Sequence, residues 1–408
     1  MKNFKFLYRK IFWSLSLLFI LELGKSISIP GFSTSVATEN SQNIILNFIS
    51  SSTGGSFSNP SLFSLGMGPY MSALIIWTAI SMSNFDWIKN MSAKTRGYCQ
   101  RAITLLFTII QATVLGFRFQ KLGGFKPLTD FLNVSSTVQL ILILIAGGLI
   151  ISWLSDINCE KGVGGQSLFI LPSLLANLPS MLVSGQSGEQ NFSIQFLVLL
   201  LFITLLYTMI TLFLYNAEYR IQVQRIGVTS RFTQSYLPIR ILTAGAMPFM
   251  FAVALFSIPS LLFLNQSWVN TTFSFLISRL FSFNTVEGII TYGFVIYLLG
   301  LGFSYINFRP YDIAKDLRDS GDYIFNVLPG RETESFLNKK LIIISLIGNT
   351  YLVLVSIIPL FIGLKYSIVT NFSFYFGSVF MLIIIVDNLY KEIKFLTQIA
   401  SYNIFSKI

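Results

Sequence analysis

The stretch GGSFSNPSLFSLGMGPYMSALIIWTAISM, Gly54 to Met82, is uncharged throughout and falls into two unlike parts. From Met67 onward it is a continuous apolar run of the kind that crosses a bilayer core, a distance of about 20 helical residues. Its front is crowded with Gly54, Gly55, Pro60, Gly66, Gly68 and Pro69, the residue types that interrupt helices. A plain anchor needs no interruption. The stretch therefore reads as a membrane helix preceded by a broken piece with a separate task.

The rest of the 408-residue chain agrees with a membrane setting, being 53% hydrophobic, 15% aromatic and 11% charged. Soluble domains carry roughly 25% charged residues. Apolar runs that predict spanning helices lie at 11–29, 67–83 (led by the broken piece 55–64), 102–119, 137–155, 166–184, 193–215, 241–264, 285–307, 340–363 and 368–389. They are long and continuously apolar, whereas barrel strands alternate over about ten residues. The start MKNFKFLYRK followed by IFWSLSLLFI has the shape of a signal peptide without a small-residue cleavage site, and reads as the first span.

The formal net charge of +11 raises nucleic acid as a partner, but the placement of the charges points to membrane topology instead. With the N-terminus inside, only Lys25, Arg118, Lys121, Lys126, Arg279 and Lys365 of the 28 Lys and Arg fall in outer segments. Ten spans then leave both termini in the cytoplasm. A cut near Gln190 gives halves 1–190 and 191–408 with five predicted spans each. An odd number forces the second half to run opposite to the first, and such inverted repeats place a pathway at their interface, lined by broken helices. The two largest inner loops, 216–240 and 308–339, are the natural docking surfaces.

The residue inventory argues against catalysis. Histidine is absent, which removes the commonest general base and metal ligand. The GQSG at Gly185 to Gly188 resembles an intramembrane serine-protease motif but has no histidine to form its dyad, and GVGGQS at Gly162 to Ser167 lacks a phosphate-binding lysine and reads as a tight turn. Cys99 and Cys159 both fall on the inner side and make no metal cluster; no cofactor is expected. A coupled transporter is the rival, with Glu22, Lys25, Glu287 and Asp387 as its few intramembrane candidates. These read better as interfacial charges that snorkel or pair. A pathway lined by apolar groups suits a gated passage, because hydrophobic constrictions close by expelling water.

Several segments carry a resemblance to one family. LGMGPYMSALII (Leu65 to Ile76) resembles the second membrane segment of the SecY protein-conducting channel, and WLSDINCEKGVGGQS (Trp153 to Ser167) resembles its fourth-to-fifth link. YLPIRILTAGAMPFMFA (Tyr236 to Ala252) is similar to the entry of its seventh helix, and FYFG (Phe374 to Gly377) to the start of its tenth. RPYDIAKDLRDSGDYIFNVLPGRETESFLNK (Arg309 to Lys339) is similar to its eighth-to-ninth loop, of the form NPxExAxxLKxxGxxIPGxRPGxxTxxYL.

The resemblance implies an all-α polytopic membrane protein, with ten transmembrane helices in two inverted five-helix halves and a plug half-helix at 55–64. It implies a pore ring of Met71, Ile75, Ile170, Leu174, Met250 and Ile383, and a plug that includes Asn59, Pro60, Phe63 and Ser64. Arg220, Arg225, Arg231, Arg318 and Arg331, in the two inner loops, are candidates for docking a cytoplasmic motor ATPase. The chain departs from the family loop at Phe325 and Asn326, and has Leu328 where the family carries the arginine that serves the motor. With the short tail and the 40 phenylalanines, this resembles the accessory paralogue of Gram-positive bacteria, which exports serine-rich glycoproteins with an accessory SecA-type motor and small membrane subunits. The expected function is passage of unfolded preproteins across a bacterial plasma membrane, and the alternatives are the housekeeping channel or an inverted-repeat transporter.

Overall fold

A computed structural model describes residues 2–29, 50, 52–55, 60–82, 91–123, 136–183, 194–225, 235–262, 279–283, 285–365 and 367–401. Asn59, Arg231 and the GQSG segment fall outside these residues. The helices are α1 (Lys2–Ser26), α2 (Gly68–Met82), α3 (Ala93–Gly123), α4 (Ser136–Lys161), α5 (Leu171–Val183) and α6 (Ile194–Asn216). They are followed by α7 (Met247–Leu262), α8 (Val286–Phe308), α9 (Pro310–Ser320), α10 (Arg331–Lys365) and α11 (Ser367–Ser401). A 3-10 helix, Gly165–Ile170, leads directly into α5.

Each of the ten expected runs falls on one of these helices; α9 is additional. The segments Lys94–Phe117, Thr137–Lys161, Val198–Asn216, Val286–Ser320 and Arg331–Leu364 are each long and apolar enough to cross a membrane. Helices α3, α10 and α11 run well past the apolar runs that announced them. Their extensions, such as AKTRGYCQR and RETESFLNK, are polar but made largely of residues that tolerate helix, so the helix continues where the hydropathy stops. Helix α6 exposes Leu201, Phe202, Met209 and Phe213, an apolar surface suited to lipid.

The two large loops expected on the inner side, 216–240 and 308–339, fold together. Strands β1 (Glu218–Arg225) and β2 (Ser235–Arg240) form an antiparallel hairpin, and β3 (Asp322–Ile324) pairs with the other side of β1, giving the order β2-β1-β3. The register places Arg220 opposite Pro238 and Val223 opposite Ile324. Pro238 is accommodated because β2 is an edge strand. Along β1, Ile221 is buried while Arg220, Gln222 and Gln224 face outward, the period-2 alternation of a half-buried strand.

Two apolar cores result. The large one lies among the membrane helices, and a smaller one beneath the sheet gathers Ile221, Ile239, Phe308, Ala314, Ile324, Leu337 and Leu341. The small core fixes both loops to the C-terminal end of α8 and the N-terminal part of α10. Truncating Ile324, 4% exposed, leaves a cavity that costs on the order of 2–5 kcal/mol. Ile324→Ala is accordingly expected to make both loops, 216–240 and 308–339, more sensitive to protease in inside-out vesicles, while protection of α2 and α5 stays unchanged. Loss of protection in 308–339 alone would show that the loops do not share a core.

Candidate functional site

Helix α2 starts abruptly because Gly66 holds a left-handed backbone (φ 58) and Gly68 and Pro69 follow it. This start brings Met71 inward, 2% exposed, with Ile75 half-buried one turn later. The turn before α5 does the same for Ile170 and Leu174. Gly164 (φ 82) lets the chain reverse after α4, so GVGGQS is the tight turn its composition suggests. Ile170 then ends the 3-10 helix and Leu174 sits in the first turn of α5, both fully buried.

That turn is held by three side chains the sequence reading did not single out. Asn158 donates to the carbonyls of Val163 (3.2 Å) and Gly165 (2.6 Å). Ser14 of α1 donates to Asn158 Oδ1 (2.9 Å) and accepts from the Val163 amide (2.7 Å). The Gly164 amide donates to Glu392 Oε2 of α11 at 2.8 Å. Three helices thereby fix the place from which Ile170 enters the core. A lone Ser or Asn within an apolar run gives no sequence-level sign of such partners.

Met71, Ile170, Leu174 and Met250 of α7 belong to one apolar cluster, with Ile75 packed against it. Ile383 of α11 is buried, 8% exposed, but lies outside that cluster. Phe374, Phe380, Met381, Ile384 and Ile385 are the buried α11 residues within it, and Phe380 packs on Phe249 with ring centres 5.7 Å apart. On the loop side of Met250 a cavity of about 510 Å³ opens, lined by Tyr215, Arg240, Asn307 and Asn388 among others. A chamber of mixed polar and apolar lining thus reaches the apolar cluster at Met250.

The broken piece is packed into the same core. Phe63, Leu65 and Met67 are at most 3% exposed, and Ser61 and Ser64 are equally hidden. Of the expected plug 55–64, residues 55 and 60–64 are described; Ser61 forms a bridge and Leu62 to Met67 form successive turns leading into α2. Its polar groups close on one another: the Ser64 hydroxyl accepts from the Ser61 amide and donates to the Ser61 carbonyl, both at 2.7 Å, and the Gly66 amide donates to the Phe63 carbonyl at 3.0 Å. Hydrogen bonds made locally allow a non-helical backbone to be buried without orphaned donors. Pro60 is half-buried at the edge of this packing.

The sparse charges are paired, as expected of interfacial groups. Lys25 pairs with Glu22 at 2.9 Å, Arg279 with Glu287 at 2.7 Å and Lys391 with Asp387 at 2.6 Å. Asp156, near the C-terminal end of α4, is a further one that the sequence reading passed over. It accepts from the Tyr70 hydroxyl (3.1 Å) and lies 3.6 Å from Arg101. On the sheet, Arg220 is exposed yet engaged, pairing with Glu218 at 2.8 Å and lying over the Tyr236 ring at 4.7 Å. Arg318 pairs with its neighbour Asp319, and Arg331 opens α10. Only the backbone of Arg225, at the end of β1, is described.

This architecture has counterparts. A family model describing SecY matches residues 61–390. The accessory Sec system protein translocase subunit SecY2 of Streptococcus oralis (strain Uo5) is 32% identical over 362 residues, covering 86% of this chain and 86% of its own length. The same-named protein of Streptococcus salivarius (strain CCHSS3) is 30% identical over 416 residues, covering 97% of each. A solved structure described as "The structure of a protein conducting channel" superimposes with a TM-score of 0.62 at 16% identity, covering 98% of this chain and 95% of that one. Another, described as Sec61 in the canine ribosome-channel complex from the endoplasmic reticulum, gives 0.58 at 15% identity, with the same coverage. Sequence relatives over most of the chain and a shared fold lead to one conclusion: the chain belongs to the SecY family.

Proposed function

We propose that this protein is the channel subunit of an accessory Sec translocase in a bacterial plasma membrane, with both termini in the cytoplasm. It passes unfolded, serine-rich glycoprotein precursors through its centre, between halves 1–190 and 191–408. The observation that carries this reading is that Met71, Ile170, Leu174 and Met250 share one buried apolar cluster, an apolar floor that the loop-side cavity reaches at Met250. Such a floor offers no ligand to a small solute or coupling ion, and it excludes water when shut. Met, Ile and Leu are uncharged and deformable enough to close around side chains of any type. Ile75 and Ile383 complete the ring in this reading, and the segment 55–64 is the plug that leaves during transport. Helix α7 packs against both α2 and α3. That seam, with α8 beside it, is where the channel would open sideways to lipid.

Cysteines placed at Ile75, Ile170 and Met250 are expected to crosslink to a precursor stalled in mid-export, and cysteines at the exposed positions Leu201 and Phe213 of α6 are not. Crosslinks confined to the α6 positions would remove the central pathway and restore the transporter reading.

The push comes from a cytoplasmic motor of the accessory SecA type, alongside small accessory membrane subunits. The three-stranded sheet on its own apolar core supports this, because a motor needs a rigid protrusion to hold. Arg220, Arg225, Arg231, Arg318 and Arg331 lie in the two loops that build it. Since Arg220 and Arg318 already have internal carboxylate partners, a docking motor competes for them, and the contact is salt-sensitive. Arg220→Glu combined with Arg331→Glu is expected to reduce motor affinity about tenfold or more and to slow export, with insertion and topology intact. Unaltered affinity and full export would assign these arginines to topology alone.

A further inference from the structure

The outer end of α1 meets the broken piece in an arrangement that the channel reading does not itself require. Gly24 lies directly against Phe63, so closely that a Cβ there would overlap the ring. Beyond the helix end, Ser28 and Ser61 form an antiparallel bridge. The Ile29 amide donates to the Pro60 carbonyl at 3.0 Å and the Leu62 amide to the Ile27 carbonyl at 3.1 Å. On the opposite side Gly147 of α4 sits under the Leu62 carbonyl, again with no room for a Cβ. Small residues at both walls let the backbones approach to this distance.

The same turn of α1 is tied to the constriction. Lys25, its side chain 11% exposed, donates to Ser173 Oγ at 2.6 Å while it pairs with Glu22. Ser173 immediately precedes Leu174 on α5. The end of α1 is therefore fixed to the helix that carries Leu174 and follows directly on Ile170. The hydrogen bonds within Ser61 to Gly66 would travel with the segment if it left its place, whereas the two to Ile27 and Ile29 must break.

We infer that Gly24 to Ile29 is a clasp that holds the plug shut, with the Gly24 notch and the Ser28–Ser61 bridge as its grip and the Lys25–Ser173 contact as its positioning element. It sets the ease with which the idle channel opens. The inference rests on the reading of 55–64 as a plug that leaves the core during export.

Ser28 and Ser61 occupy the non-hydrogen-bonded position of the bridge, where Cα atoms stand about 4.5 Å apart, within reach of a disulfide. In a background of Cys99→Ser and Cys159→Ser, the pair Ser28→Cys with Ser61→Cys is expected to form that bond on mild oxidation and to arrest export in membrane vesicles, and reductant is expected to restore it. A bond that forms while export continues overturns the clasp, and failure of the bond to form overturns the bridge. Crosslinking of precursor to a cysteine at Ile170 in the same vesicles separates the two readings, since its persistence alongside unarrested export leaves the channel standing and removes only the clasp.

A size exchange supplies a second readout. Gly24→Val is expected to raise the ion conductance of the idle channel about tenfold or more by evicting Phe63, and Gly24→Val with Phe63→Ala to bring it back down by returning the space. An idle conductance unmoved by Gly24→Val would overturn the grip.

Discussion

A backbone that departs from helix within a bilayer has no water to satisfy its amides and carbonyls, and each one left unpaired costs several kcal/mol. The segment ahead of α2 meets this constraint by two means. It turns its polar groups onto one another, with Ser64 serving both the amide and the carbonyl of Ser61 and the Met67 amide donating to the Thr53 carbonyl at 2.7 Å. It then surrounds them with Phe63, Leu65 and Met67, all buried. Everything else about the centre follows from having such a self-contained irregular piece there. Helix α2 is free to begin in the middle of the protein, Met71 faces inward from that beginning, and the piece fills space that helices alone would leave open.

The proposed seal depends on the apolar character of its walls. In that reading the cluster around Met71, Ile170, Leu174 and Met250 is kept closed by the unfavourable wetting of those walls. The polar framework that positions those walls lies at one remove. Ser14, Asn158 and Glu392 hold the turn before Ile170, and Tyr215 donates to Asn388 at 2.6 Å beside the chamber. Polar specificity and apolar closure are thus divided between neighbouring layers, which lets the wall residues move without leaving a hydrogen bond unmade.

Much of this was legible in the sequence because membrane helices are announced by local composition. The ten runs, the interruption at Gly54 to Gly68 and the turn at Gly162 to Ser167 each depend on residues adjacent in the chain. The pairing of Glu22 with Lys25 and of Asp387 with Lys391 is equally local, one helical turn apart. What escaped was non-local. The bond between β1 and β3 joins segments separated by about a hundred residues and two membrane helices, and three-residue β3 has no pattern of its own. Asn158 and Glu392 gain meaning only from partners on other helices. Ile383 is named by resemblance alone; it is buried, and its α11 neighbours Phe380, Met381, Ile384 and Ile385 belong to the large cluster.

The central claim is that an apolar ring closes an otherwise open path, and the conductance of the purified protein in planar bilayers tests it most directly. Met71→Ser, Ile170→Ser and Leu174→Ser, singly and together, leave the fold's polar framework untouched while wetting the walls. The account predicts an idle ion conductance that rises with each added serine. A triple variant that inserts normally and conducts no more than the unaltered protein would contradict it.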